Sequence, residues 1–136
     1  VRFFFYGTLI DDDVRALVLG AQAVGLEVAP AELAGWRCVS IRGKTYPAVV
    51  RSAAATTHGV LTRELPDGAV AALTAYEGPE YDLIRADVSA SGEVSAAAVF
   101  VARSSCRVSA RPWDFDAWQR LHKRTFVARL LRGHLV

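Results

Sequence analysis

The chain opens on an apolar stretch, Val1 to Tyr6, interrupted only by Arg2 and halted by Gly7. Its aromatic and β-branched content predicts a strand that ends in a tight turn. Asp11 to Asp13 can then cap and charge a short helix carrying Val14, Leu17 and Val18 on one side, with Gly20 placed to end it. From Val24 to Val50 the pattern reads as strands broken by turns, punctuated by Pro30, Gly35, Gly43 and Pro47. Thr56 to Arg63 predicts another strand. Pro66, Asp67 and Gly68 open a helix over Ala69 to Glu77, closed by Gly78 and Pro79.

Two further strands follow, Tyr81 to Ala90 and Glu93 to Ala102, joined at Ser91-Gly92 as a hairpin turn. A final helix is expected to start near Asp114. Phe115, Trp118, His122, Phe126 and Leu130 fall on one face of it, which predicts packing of that face, with His122 as a hydrogen-bonded core residue. Many short strands with three helices and little regular strand–helix alternation predict one α+β domain over residues 1–136. Its expected centre is a strongly curved sheet or small mixed β-barrel with flanking helices.

Composition narrows the function classes. With 52% hydrophobic and 22% charged residues in 136, the chain can bury a core and is not disordered. No run approaches the roughly 18–20 apolar residues of a membrane-spanning helix. Val1 to Tyr6 is too short for a secretory signal, so a cytoplasmic protein is expected. The chain contains no methionine, so residues are expected to precede Val1 or the initiator to have been removed. Of the 16 basic residues 14 are Arg, scattered singly, which fits the codon bias of a GC-rich genome better than a nucleic-acid surface. Cys38 and Cys106 read as reduced, buried thiols rather than a disulfide framework. His58, His122 and His134 lack ligand spacing with either cysteine, so no metal is expected.

Two places are candidates for chemistry. At Tyr6-Gly7-Thr8-Leu9 a strand meets an Asp-started helix, and the glycine lets successive N–H groups form an anion-binding or oxyanion-stabilising nest. A plain turn gives the same pattern. No Gly-Lys-Ser/Thr follows, so it is not a phosphate-binding P-loop. In the helix from Ala69, Val70, Leu73 and Glu77 are related by steps of three and four, which puts a carboxylate on the apolar face. Desolvation there raises a carboxyl pKa and suits a general acid or base; a helix-end Glu that reaches solvent or an Arg is the competing reading. Glu80, beyond the Gly78-Pro79 break, reads as a surface residue, and Arg85 as a member of a structural ion pair. Trp113, Trp118 and Phe126 read as packing residues.

Tyr6-Gly7-Thr8-Leu9 after an aromatic strand, Tyr46-Pro47-Ala48, then Tyr76-Glu77-Gly78 followed by Tyr81 and Arg85 resemble, in this order, the γ-glutamylcyclotransferase-like superfamily. The Trp-rich segment from Trp113 to His122 is similar to its avirulence-induced-gene-like branch. The resemblance implies a small barrel-like sheet with flanking helices and a cavity at one end. It implies that the backbone of Tyr6, Gly7, Thr8 and Leu9 holds a γ-glutamyl group, that Glu77 is the acid/base, and that Tyr81 lines the pocket. Phe100 stands where some relatives carry a late-strand Tyr. The implied reaction forms 5-oxoproline from a γ-glutamyl amine or peptide and releases the amine or amino acid. The nucleophile is the substrate's own α-amine, so no cofactor, metal or catalytic Ser or Cys is required. A small-molecule binding or regulatory module using the same pocket without turnover is the alternative.

Overall fold

A computed structural model describes residues 1–133. A two-residue strand β1 (Phe4–Phe5) leads through a 3₁₀ turn at Thr8–Ile10 into helix α1 (Asp12–Leu19). Two long strands follow, β2 (Val28–Ile41) and β3 (Pro47–Thr62), then helix α2 (Asp67–Glu77). The remainder is β4 (Tyr81–Ala90), β5 (Glu93–Ala102), β6 (Val108–Pro112), α3 (Phe115–Leu121) and α4 (Lys123–Leu131).

The strands form one sheet in the order β1-β3-β2-β4-β5, with β6 on the distal end of β2. Its ladders are antiparallel. The chain ahead of β1 touches β5 through one parallel bridge, Phe3 to Ala98. A two-residue strand is too short to build a second ladder, so the sheet is not a closed barrel, which corrects the barrel expectation. Side-chain alternation along the first segment serves two layers. Phe3 and Phe5 pack with Val14, Leu73, Trp118 and Phe126, while Phe4 and Tyr6 pack with Leu33, Trp36, Val49 and Val99. β1 lies so close to β3 that a Cβ on Gly59 would run into the Phe5 carbonyl.

Several expected boundaries move. Neither Pro30 nor Gly35 ends a strand: Pro30 pairs opposite Val60, and Gly35, at φ +88°, takes a bulge between Ala34 and Trp36. The strand expected at Thr56 to Arg63 is the distal part of β3. The last helix is broken at His122 (φ −127°, ψ −20°) into α3 and α4. Asp114 does cap its start, accepting from the Ala117 N–H. The break takes His122 off the apolar face: it is exposed, while Trp118 and Phe126 stay buried. Cys38 and Cys106 are free and only half-buried. No described helix is long and apolar enough to cross a membrane.

Candidate active site

The loop after β1, the start of β3 and the end of α2 converge on a cavity of about 70 Å³. All six residues singled out from the sequence line it: Tyr6, Gly7, Thr8 and Leu9 from the loop, Glu77 from the last turn of α2, and Tyr81 from the start of β4. Tyr46 and Pro47, Tyr76, Pro79 and Glu80, Phe100 and Phe126 complete the wall with Phe4 and Phe5. A broader groove of about 530 Å³ between the β2–β3 turn, β6 and α3 contains none of the six.

The loop is held from three sides. Gly7 meets Pro47 so closely that a Cβ would sit 3.0 Å from the proline Cγ, which joins the first two sequence motifs in space. The Ile10 and Asp11 amides close the 3₁₀ turn on the Gly7 and Thr8 carbonyls, at 3.1 and 3.0 Å. The leading amides of such a turn, those of Thr8 and Leu9, have no acceptor inside it. Arg15, buried in α1, donates to the Leu9 and Ile10 carbonyls at 2.9 and 2.7 Å. Asp11, also buried, caps α1 through the Asp13 and Val14 amides and takes Gln119 at 3.0 Å and Lys123 at 2.8 Å from the C-terminal helices. Burial works against its carboxylate, yet Lys123, Gln119 and the Val14 amide hold it below the usual range.

All four tyrosines of the chain line the cavity. Tyr6 donates to the Phe100 carbonyl at 2.5 Å and Tyr81 to the Pro47 carbonyl at 2.6 Å. Tyr46 donates to Glu80 Oε1 at 3.0 Å, and the Tyr76 and Thr8 hydroxyls share a hydrogen bond of 2.7 Å. Burial, and after it the Glu77 charge, push the Tyr6 hydroxyl well above its ordinary value. Burial is the leading cause of the upward shift in Tyr46, Tyr76 and Tyr81 as well. These hydroxyls are neutral near pH 7 and act by hydrogen bonding.

Glu77 differs from every other carboxylate in the site. It is half-buried at the end of α2, where Gly78 (φ +76°) turns the chain away. Among the described residues no cation pairs with it and no donor is bonded to it. Burial pushes its carboxyl up to about 8. A carboxyl so placed can gain or lose a proton near neutral pH.

From the sequence, Tyr46 and Tyr76 stand only as motif residues with no place in the site, Glu80 is expected on the surface, and Arg15 is not singled out. Glu80 is no surface residue but half-buried in the cavity wall, because Tyr46 reaches it from the β2–β3 connection. The crowding of all four tyrosines beside short Gly and Pro motifs was the available signal. Arg85 is exposed on β4 and neither lines the cavity nor forms an ion pair among the described residues, so its pairing expectation fails. The described residues hold no cluster of three or more His, Cys, Asp or Glu with metal-holding geometry, and His134 lies outside them.

Fold and site together define a small α+β protein with one acidic, tyrosine-walled pocket. The family model for gamma-glutamyl cyclotransferase, AIG2-like, matches residues 3–120, and the chain belongs to this family. AIG2-like protein A of Arabidopsis thaliana is 30% identical over 91% of this chain and 75% of its own length. A solution structure of an Arabidopsis thaliana protein superposes with a TM-score of 0.68 at 25% identity, covering 97% of this chain and 91% of that one. A structure named gamma-glutamyl cyclotransferase shares the fold, with a TM-score of 0.65 at 14% identity over 79% of this chain and 68% of that one.

Proposed function

We propose that the protein cyclises a γ-glutamyl amine or peptide to 5-oxoproline and releases the amine or amino acid. The observation that carries this reading is Glu77, without a partner among the described residues and raised to about 8, in the wall of a small cavity that Thr8 and Leu9 also line. Ionised Glu77 takes a proton from the substrate's α-ammonium. The freed amine attacks the γ-carbonyl carbon, forming the ring C–N bond and placing negative charge on the carbonyl oxygen. Collapse breaks the bond to the departing nitrogen; Glu77 passes the first proton to that nitrogen and relays the second from the ring nitrogen in the same way, so the lactam keeps one N–H, the amine leaves as its ammonium and no water is consumed. One carboxyl with a pKa near the working pH serves both transfers.

The loop's part is to hold the γ-glutamyl group folded toward ring closure and to donate N–H groups to the developing oxyanion. Intramolecular attack in a well-oriented site carries an effective concentration on the order of 10⁵ M or more, so positioning supplies much of the rate. Tyr6 and Tyr81 hold the wall, since their hydroxyls are bonded to the Phe100 and Pro47 carbonyls. Phe100 adds apolar surface and no hydroxyl. Assay of 5-oxoproline release from γ-glutamyl dipeptides, γ-glutamyl amines and γ-glutamyl-ε-lysine tests the reading. Release from at least one class is expected; silence across the panel overturns it.

A further inference from the structure

The charge of the cavity wall is one-sided. Among the described residues it contains two carboxylates, Glu77 and Glu80, and no Lys, Arg or His. The neighbouring cations are committed elsewhere: Arg15 to the Leu9 and Ile10 carbonyls, Lys123 to Asp11 and Asp13, and Arg103 to Asp82 at 3.0 Å. The two glutamates are three residues apart but sit on different elements, because Gly78 ends α2 between them. Glu80 is fixed at both ends. Its carbonyl accepts from the Arg103 amide at 3.0 Å, and its Oε1 accepts from Tyr46 at 3.0 Å. Its second carboxylate oxygen has no cationic partner among the described residues.

We propose that Glu80 reads the charge of the leaving group, so that the site prefers γ-glutamyl amides whose departing amine carries a second positive charge, as a diamine conjugate does. This rests on the cyclisation reading above. With Glu77 engaged at the reacting nitrogen, Glu80 is the remaining charge in the wall. A departing chain that ends in an ammonium pairs with it. One that ends in a carboxylate meets a like charge with no counter-cation in the wall, and such juxtapositions are a strong source of discrimination. Tyr46 orients the carboxylate and adds to the selection without contributing charge.

The test compares kcat/KM for three conjugates of matched length, made from 1,4-diaminobutane, butylamine and 4-aminobutyrate. The expected order is cationic, then neutral, then anionic, with about five- to tenfold between neighbours at low salt and less at high salt. Glu80→Gln should bring the cationic-to-neutral ratio close to one, mostly through KM, and Glu80→Lys should invert the order. A wild-type ratio at or below one overturns the proposal. So does a ratio that Glu80→Gln leaves unchanged, or a loss shared equally by all three substrates, which would place Glu80 on the common γ-glutamyl group. If none of the three yields 5-oxoproline, the cyclisation reading is decided separately by the wider panel above. Calorimetric binding of the diamine and butylamine conjugates then decides: tighter diamine binding that Glu80→Gln removes upholds charge selection, and equal or absent binding ends it.

Discussion

The hydroxyls of Tyr76 and Thr8 lie 2.7 Å apart, which ties the residue next to Glu77 directly to the loop after β1. Glu77 and the loop are thereby held at a fixed separation by a bond spanning 68 positions of the chain. Removing it should loosen both. Tyr76→Phe is expected to cost about 1 kcal/mol of stability, the usual net worth of such a bond. A double-mutant cycle with Thr8→Val, read by denaturant unfolding, should return a coupling of roughly 0.5–1.5 kcal/mol. Strictly additive losses would mean that the bond does not hold the loop.

Gly7 has a negative φ, −116°, and its neighbour limits what can stand there. A Cβ there would meet the rigid Pro47 ring at 3.0 and 3.1 Å. Gly7→Ala should therefore cost about 1–3 kcal/mol through overpacking and raise KM more than it lowers kcat. Pro47→Ala in the same chain should restore part of the loss. No rescue by the second substitution would place the strain elsewhere.

Asp11 ties the loop to the C-terminal helices through Lys123 and Gln119. Its folded pKa lies below the ordinary value, so its contribution is present above the ordinary carboxylate range and fades as pH falls through the lowered folded value. Asp11→Asn keeps a capping oxygen but loses the ion pair. Chemical unfolding should show a deficit of about 1–3 kcal/mol at pH 7 that shrinks toward pH 3. A deficit independent of pH would assign the effect to the cap alone.

Glu77 carries the opposite sign. Its folded pKa is raised to about 8, so its neutral form favours folding below the ordinary carboxylate value, and that support is lost as pH rises through about 8. Glu77→Gln should melt a few degrees higher than the unmodified protein at pH 9, with the advantage gone at pH 5. Equal melting temperatures at both values would show that the carboxyl is solvated.

Local signals in the sequence located the elements that local chemistry builds. The β4–β5 hairpin is legible to the residue, because Ser91-Gly92 marks its turn and both residues take positive φ, +51° and +80°. Helix α2 ends at Glu77 before Gly78 as expected but starts at Asp67, two residues ahead of the expected Ala69. The long strands were obscured by Pro30 and Gly35, whose tolerance depends on partners far along the chain. β6 exists only through its pairing with β2. Glu77 was legible because its helix phase is local. Glu80 was not, because only the arrival of Tyr46, 34 residues earlier, draws it into the wall. Arg15 was hidden for a similar reason: its acceptors are carbonyls of the preceding turn, which sequence periodicity does not mark.

If Glu77 moves the protons of a cyclisation, its amide variant must fail to turn over. The most direct measurement is the rate of 5-oxoproline release from the best γ-glutamyl substrate, wild type against Glu77→Gln, with folding of both checked by circular dichroism. The account predicts one equivalent of 5-oxoproline per amine released, and a wild-type kcat/KM that rises with pH toward a plateau above about 8. It predicts a loss on the order of 10²–10⁴-fold in the folded Gln variant. Turnover by Glu77→Gln within a few-fold of wild type, or a pH profile that the substitution leaves unmoved, would contradict it.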